Sequence, residues 1–318
     1  MMTDLGLAVD EEMLADVGRH VSLLGRAGTW FTGEERVAIA AVARAARAGE
    51  TISTVLPDAT ARAASAVSAD PGGITAELID DFEANGLSRI SYVELIGTVS
   101  RLAAVDAFTY ALGKPDVALP EPEAGRPSLS RAPGLLRNGS WVPTGGKAGA
   151  ASALSAVAAQ DAAQANLHSI LYLSYRSMGD FAYAEALTRT QMELIAARVS
   201  YLNECFYCLL SHAWLLRASA QHTNALVELR GLTDPSIDTK VPAAAELMRF
   251  ADAIVDRNDG RLAASRDALV DKLGEEAAVA AAGVAANFEM MNRVLDAAGV
   301  DVPESAWTLA PDLGFEVA

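Results

Sequence analysis

Apolar residues along this chain recur at three- and four-residue intervals, and the runs are broken by proline, glycine and small polar clusters. That spacing predicts helices over residues 11–26 and 34–49, the second carrying Val37, Ile39, Ala40, Val42 and Ala43. Thr32 with Glu35 three positions later has the spacing of a capping box at its start. Pro57 opens a further helix over about 58–69, which Asp70-Pro71-Gly72-Gly73 stops. A short helix over 75–85 ends at Gly86, a residue able to take the left-handed conformation of a C-cap. Ser88 caps a long helix that runs through Tyr92, Leu95, Ile96, Val99, Leu102, Val105 and Phe108 to Gly113.

From Lys114 to about Gly149 the periodicity disappears. Pro115, Pro120, Pro122, Pro127, Pro133 and Pro143 exclude a helix. The stretch reads as an inter-domain linker, or as an ordered strap that buries Leu135, Leu136, Trp141 and Val142. Helical spacing resumes near Ala150 and continues through 167–175, 181–187 and 193–212. After a loop ahead of Pro242 come a helix to Arg257, an Asn258-Asp259-Gly260 turn, a short helix ending at Gly274 and a long helix through Val284, Phe288, Met291 and Val294 to Gly299. Met290, Met291 and Phe288 read as core or interface packing. The tail from Asp301, with Trp307, reads as draped rather than helical.

Composition turns this string of helices into a fold class. The 318 residues are 51% hydrophobic, enough for a large core, and the low aromatic content (6%) beside abundant alanine favours closely packed helices over sheets. The fold expected is all-α, divided into a helical domain over 1–113, a linker or strap over 114–149, a second helical domain over 150–300 and a tail over 301–318. The two halves also resemble each other. From Asp70 to Gly113 the landmarks of the first recur in the second at a constant offset of 186 residues, pairing Gly97 with Gly283 and Gly113 with Gly299. Glu35 pairs with Glu193 at an offset of 158, so the second half carries about 28 more residues between that helix and Pro242. Those extra residues hold both cysteines and His212.

A net charge of −16 and a pI near 4.6 argue against nucleic acid or an anionic membrane as partner. No apolar run reaches membrane-spanning length, and the acidic N-terminal stretch lacks the pattern of a secretory leader. Two cysteines in so long a chain do not make a disulfide framework; spaced as Cys205-x-x-Cys208 they point to redox or metal chemistry in a reducing cytoplasm.

Chemistry concentrates between Glu193 and His212. Cys205 and Cys208 at the first turn of a helix put their sulfurs within disulfide reach, and the helix N-terminus favours thiolate. Asn203-Glu204 supplies the break ahead of it. His212 follows Cys208 by one turn on the same face, placed to take a thiol proton. Glu193 on the preceding helix returns to the same pocket in a helical hairpin and orients that imidazole. Tyr207 and Tyr201 are supporting hydrogen-bond donors. Leu194, Leu209, Leu210 and Trp214 are expected to desolvate the site and raise the carboxyl's pKa.

The segment 187–212, with Glu193, eleven residues, Cys205, two residues, Cys208, three residues and His212, resembles the AhpD-like alkylhydroperoxidases of the carboxymuconolactone decarboxylase superfamily. The resemblance extends upstream through Asn166-Leu167-His168 and downstream through 287–294, and covers 30–113 only as a degenerate repeat. It implies an all-α, homo-oligomeric fold and a thiol-dependent reductase of organic or hydrogen peroxide. Cys208 would be the attacking thiolate, Cys205 the resolving thiol, and Glu193 with His212 the proton relay. An external dithiol, thioredoxin-like or lipoyl reductant would restore the pair; neither cofactor nor metal is implied. Relatives often carry histidine where Tyr207 stands, and the decarboxylase branch lacks the cysteines.

Rival readings are a non-enzymatic redox sensor, a general thiol-disulfide oxidoreductase on the same pair, and structural zinc, which would need His222 or Glu193 as a further ligand. His168 reads as a helix histidine satisfied locally, and His20 has no evident partner. Glu35, with no cysteines behind it, reads as a capping residue. One redox centre per chain is therefore expected.

Overall fold

The computed structural model describes residues 6–316; residues 1–5, part of the stretch read as leaderless, and residues 317–318 of the tail lie outside the described residues. The chain is all-α. In the first half α1 (Glu11–Ser22), α2 (Gly33–Arg47), α3 (Asp58–Ala69), α4 (Ala76–Ala84) and α5 (Arg89–Ala111) follow in order. Their starts are where the sequence puts them. Thr32 and Glu35 form the reciprocal capping box of α2, Thr75 caps α4, and Ser88 accepts from the Ser91 amide at the head of α5. The second half comprises α6 (Ala158–Leu171), α7 (Arg189–Leu202), α8 (Phe206–His222), α9 (Ala244–Val255), α10 (Asp259–Leu273) and α11 (Glu275–Ala298). The tail is not draped as expected: a 3-10 turn over Glu304–Leu309 and α12 (Ala310–Leu313) fold there, with Trp307 and Phe315 packed on Phe206.

α5 and α11 are buried on nearly every side, which their lack of a polar face requires, and they make the most extensive helix pairing among the described residues. The Tyr92 hydroxyl at the start of α5 donates to the Ala297 carbonyl at the end of α11 (3.0 Å). One apolar cluster, from Leu7 to Leu313, runs through both halves. Residues 114–149 contain no helix and are tied down along their length. The Glu123 amide donates to the Gly25 carbonyl, the Leu129 amide to Thr29, and the Trp141 amide to Ala298 (2.9 Å).

Two segments expected to be helical are not, and for the same reason: side chains claim their carbonyls. The Ala150 carbonyl accepts from Gln164 and Tyr175, so 150–157 form turns and α6 starts at Ala158. The carbonyls of Ser177, Met178 and Asp180 accept from Arg189, so the chain from there to α7 runs irregularly, through 181–187, rather than as a helix.

Gly113 and Gly299, paired by the 186-residue offset, both take left-handed φ values, +70° and +59°, just beyond α5 and α11. At Gly299 an added Cβ would fall 1.9 Å from a Trp141 ring carbon, so glycine is what lets the strap close on α11. Gly299→Ala is expected to cost roughly 2–4 kcal/mol of unfolding free energy. Gly86→Ala, at φ +100° with open space around it, serves as the control and should cost only about 1 kcal/mol. Denaturant melts of the two variants compare them; equal losses would contradict a Trp141 clamp.

Candidate redox-active site

The site grows from one buried carboxylate. Glu193, on α7, is fully buried, so its charge persists only if neighbours compensate it. Four residues earlier, Arg189 donates through Nε to Glu193 Oε1, and the Tyr172 hydroxyl donates to the same oxygen. The other oxygen, Oε2, lies 2.6 Å from His212 Nδ1. Burial alone would raise the Glu193 carboxyl; the charge and hydrogen bond of His212, with Arg189 and Tyr172, outweigh it and hold the group below its ordinary value. The raised pKa expected from the apolar surroundings is thus reversed, because cationic and hydroxyl donors, not leucines, touch the carboxylate.

Each partner is positioned by its own element. Tyr172 is where α6 stops: its backbone leaves the helix (φ −141°, ψ −96°) and its phenol turns onto Glu193. Arg189 opens α7 and spends its remaining donors on Ser177, Met178 and Asp180. His212 sits mid-α8 with its ring edge-on to Phe288 of α11, centroids 4.4 Å apart. Its Nδ1 occupied by Glu193, the imidazole presents Nε2 to a cavity of about 190 Å³.

Cys208, also on α8, opens into that cavity, alongside Tyr207, His168, Tyr175 and Met291. α7 ends at Asn203, Glu204 turns the chain with φ +57°, and Cys205 becomes the N-cap of α8, which places Cys208 in the first turn as expected. Both are free thiols, and their sulfurs lie close together. Burial pushes the Cys205 thiol well up, and the adjacent Cys208 sulfur adds to it. Backing Cys205 is a residue the sequence reading missed. Asp296 of α11 is raised by burial to about 7 against a hydrogen bond from the Cys205 thiol, and its Oδ2 has no partner among the described residues.

Of the six residues singled out from sequence, five converge here. Tyr201 does not: it packs beneath the Arg198 guanidinium and against Phe315, away from the cavity. His168 borders the cavity and is satisfied locally, Nδ1 donating to the Leu173 carbonyl at 2.6 Å; burial lowers it to about 4, so it is neutral at pH 7. Among the described residues no three His, Cys, Asp or Glu side chains converge as metal ligands, and His222 lies at the far end of α8. Arg189 was detectable from its four-residue spacing to Glu193; Tyr172 and Asp296 had no such signal.

No helix among the described residues is long and apolar enough to cross a membrane. No curated protein and no solved structure matches the chain. A family model, the Carboxymuconolactone decarboxylase family, matches residues 172–253, beginning at the tyrosine that holds Glu193 and taking in both cysteines and His212. The segment that builds this site is therefore similar to the carboxymuconolactone decarboxylase family.

Proposed function

We propose that the protein is a thiol-dependent hydroperoxide reductase in which Cys208 attacks, Cys205 resolves, and Glu193 and His212 move the proton. The observation that carries this reading is the cavity that brings the Cys208 sulfur and the His212 ring together, with a buried carboxylate behind the imidazole. His212, its Nδ1 held by Glu193, is placed to take the Cys208 thiol proton and return it. The thiolate attacks the distal peroxide oxygen: the S–O bond forms, the O–O bond breaks, and the alkoxide leaves as alcohol with the proton from His212. Cys208 is then a sulfenic acid. Cys205 gives its proton to Asp296 and attacks the Cys208 sulfur; the S–S bond forms and hydroxide leaves, protonated to water. An external dithiol, of thioredoxin-like or lipoyl type, takes up the oxidation by disulfide exchange.

The cavity, about 190 Å³, favours hydrogen peroxide and short alkyl hydroperoxides over bulky ones. A pair of free thiols fits a reducing cytoplasm. Half-exposed Trp214, edge-on to Phe181 on α8's outer side, is where a second copy would dock in a homo-oligomer.

With a dithiol reductant supplied, Cys208→Ser is expected to lose peroxide consumption by at least about 10³-fold. Cys205→Ser should still consume one equivalent and stop at a sulfenic acid. Turnover unchanged in Cys208→Ser would sink the reading.

Asp296 gives a second test. Below about pH 7 its carboxyl is protonated and cannot accept from Cys205; above that it can. Disulfide formation, followed by stopped-flow after a peroxide pulse, should therefore quicken as pH rises through about 7. In Asp296→Asn it should be slower by roughly ten- to a hundredfold at pH 8, with that inflection gone. An unchanged profile in the variant would remove Asp296 from the resolving step.

A further inference from the structure

The first half of the molecule buries a cation whose hydrogen-bonding capacity is only partly used among the described residues. Arg101 lies on α5, seven residues after Glu94, and is 4% exposed, yet its Nε and Nη1 find no acceptor among the described residues. Glu94, its nearest counter-charge, is committed elsewhere: it accepts from the backbone amides of Thr29 (3.2 Å) and Trp30 (2.5 Å) and faces Arg36 Nε at 3.8 Å. Arg36 sends Nη1 to the carbonyls of Leu23 and Arg26, while its own Nε has no hydrogen-bond partner. Burial lowers Arg101 to about 9, which leaves it charged at neutral pH. His20 on α1, lowered to about 4 by burial and by Arg101, is neutral there and bonded to Asn166 of α6, the partner the sequence did not reveal.

Both guanidiniums border a cavity of about 410 Å³ that is separate from the redox cavity. Its walls are of two kinds. The polar part includes Arg101, Arg36 and Gln160, whose Oε1 is likewise buried without a partner among the described residues and packs against Gly97 one turn before Arg101. The flank is apolar, formed by Leu23, Ala27, Ala159 and Ala163. A buried cation with unfilled donors in an acidic protein calls for an anion, and guanidinium donors suit a carboxylate.

We propose that this cavity binds a small organic carboxylate, its charge on Arg101 and Arg36 and its hydrocarbon part along Leu23, Ala27, Ala159 and Ala163. The apolar flank is what favours it over inorganic phosphate. The site is independent of the cysteine chemistry.

Calorimetric titration of the full chain with butyrate, succinate and inorganic phosphate tests it, alongside thermal melts. Saturable butyrate binding is expected, with an upward melting shift and weaker response to phosphate. Arg101→Met should lose at least about tenfold in affinity while melting no lower than wild type, because it removes a buried charge with unfilled donors. Ala163→Leu, on a half-buried wall position, keeps both guanidiniums and fills the flank, and should also weaken butyrate. Absence of carboxylate binding by wild type, equal affinity in Arg101→Met, or preference for phosphate would each overturn the proposal.

Discussion

A carboxylate with no access to water organises the second half of this protein. Left alone, Glu193 would be protonated or expelled; it stays because Arg189, Tyr172 and His212 surround it. The compensation reaches well beyond the pair. Arg189 gathers the carbonyls of Ser177, Met178 and Asp180 into an irregular loop, Tyr172 terminates α6, and His212 fixes how α8 lies against α7. Cys208, one turn before His212 on α8, opens into the cavity that these constraints leave. The structure of the second half and the proton relay proposed for it thus rest on the same few bonds.

The two halves solve the burial of charge differently. In the second, Glu193 is paired to a histidine that faces a cavity. In the first, Glu35 closes a capping box at the head of α2 and takes no part in a buried cluster. One buried carboxylate there, Asp106, is paired with Arg44 and Arg47, and another, Glu94, is spent on backbone amides, leaving donors of Arg101 unfilled. Glycines paired by the 186-residue offset nonetheless do parallel work. Gly97 admits Gln160, Gly283 admits the Leu171 carbonyl, and Gly113 and Gly299 end the two central helices in left-handed conformations. The cysteine pair lies within this frame.

Local signals were legible in the sequence. Caps at Thr32, Thr75 and Ser88, the left-handed turn at Gly86 and the Cys205-x-x-Cys208 start of α8 all follow from residues within four positions of one another. Glu193 and His212, nineteen residues apart, were legible because a hairpin of two helices brings them together. Contacts made across the fold were not. Asp296 reaches Cys205 from another helix; the Ala150 carbonyl and those at 177–180 are diverted by side chains that no periodicity reveals. Tyr201 was misread because, two residues short of the end of α7, its ring meets the tail, whose folding onto Phe206 is itself a long-range event. The sign of the Glu193 shift was missed for the same reason, since hydrophobic neighbours in sequence were not its neighbours in space.

The central claim is that Cys208 and Cys205 form one reversible two-electron centre. Peptide mass mapping of the reduced chain, after one equivalent of a short alkyl hydroperoxide and alkylation of remaining thiols, tests it most directly. The account predicts a Cys205–Cys208 disulfide within a single chain, reversed by a dithiol. Two alkylated cysteines after peroxide, or a bond only between chains, would contradict it.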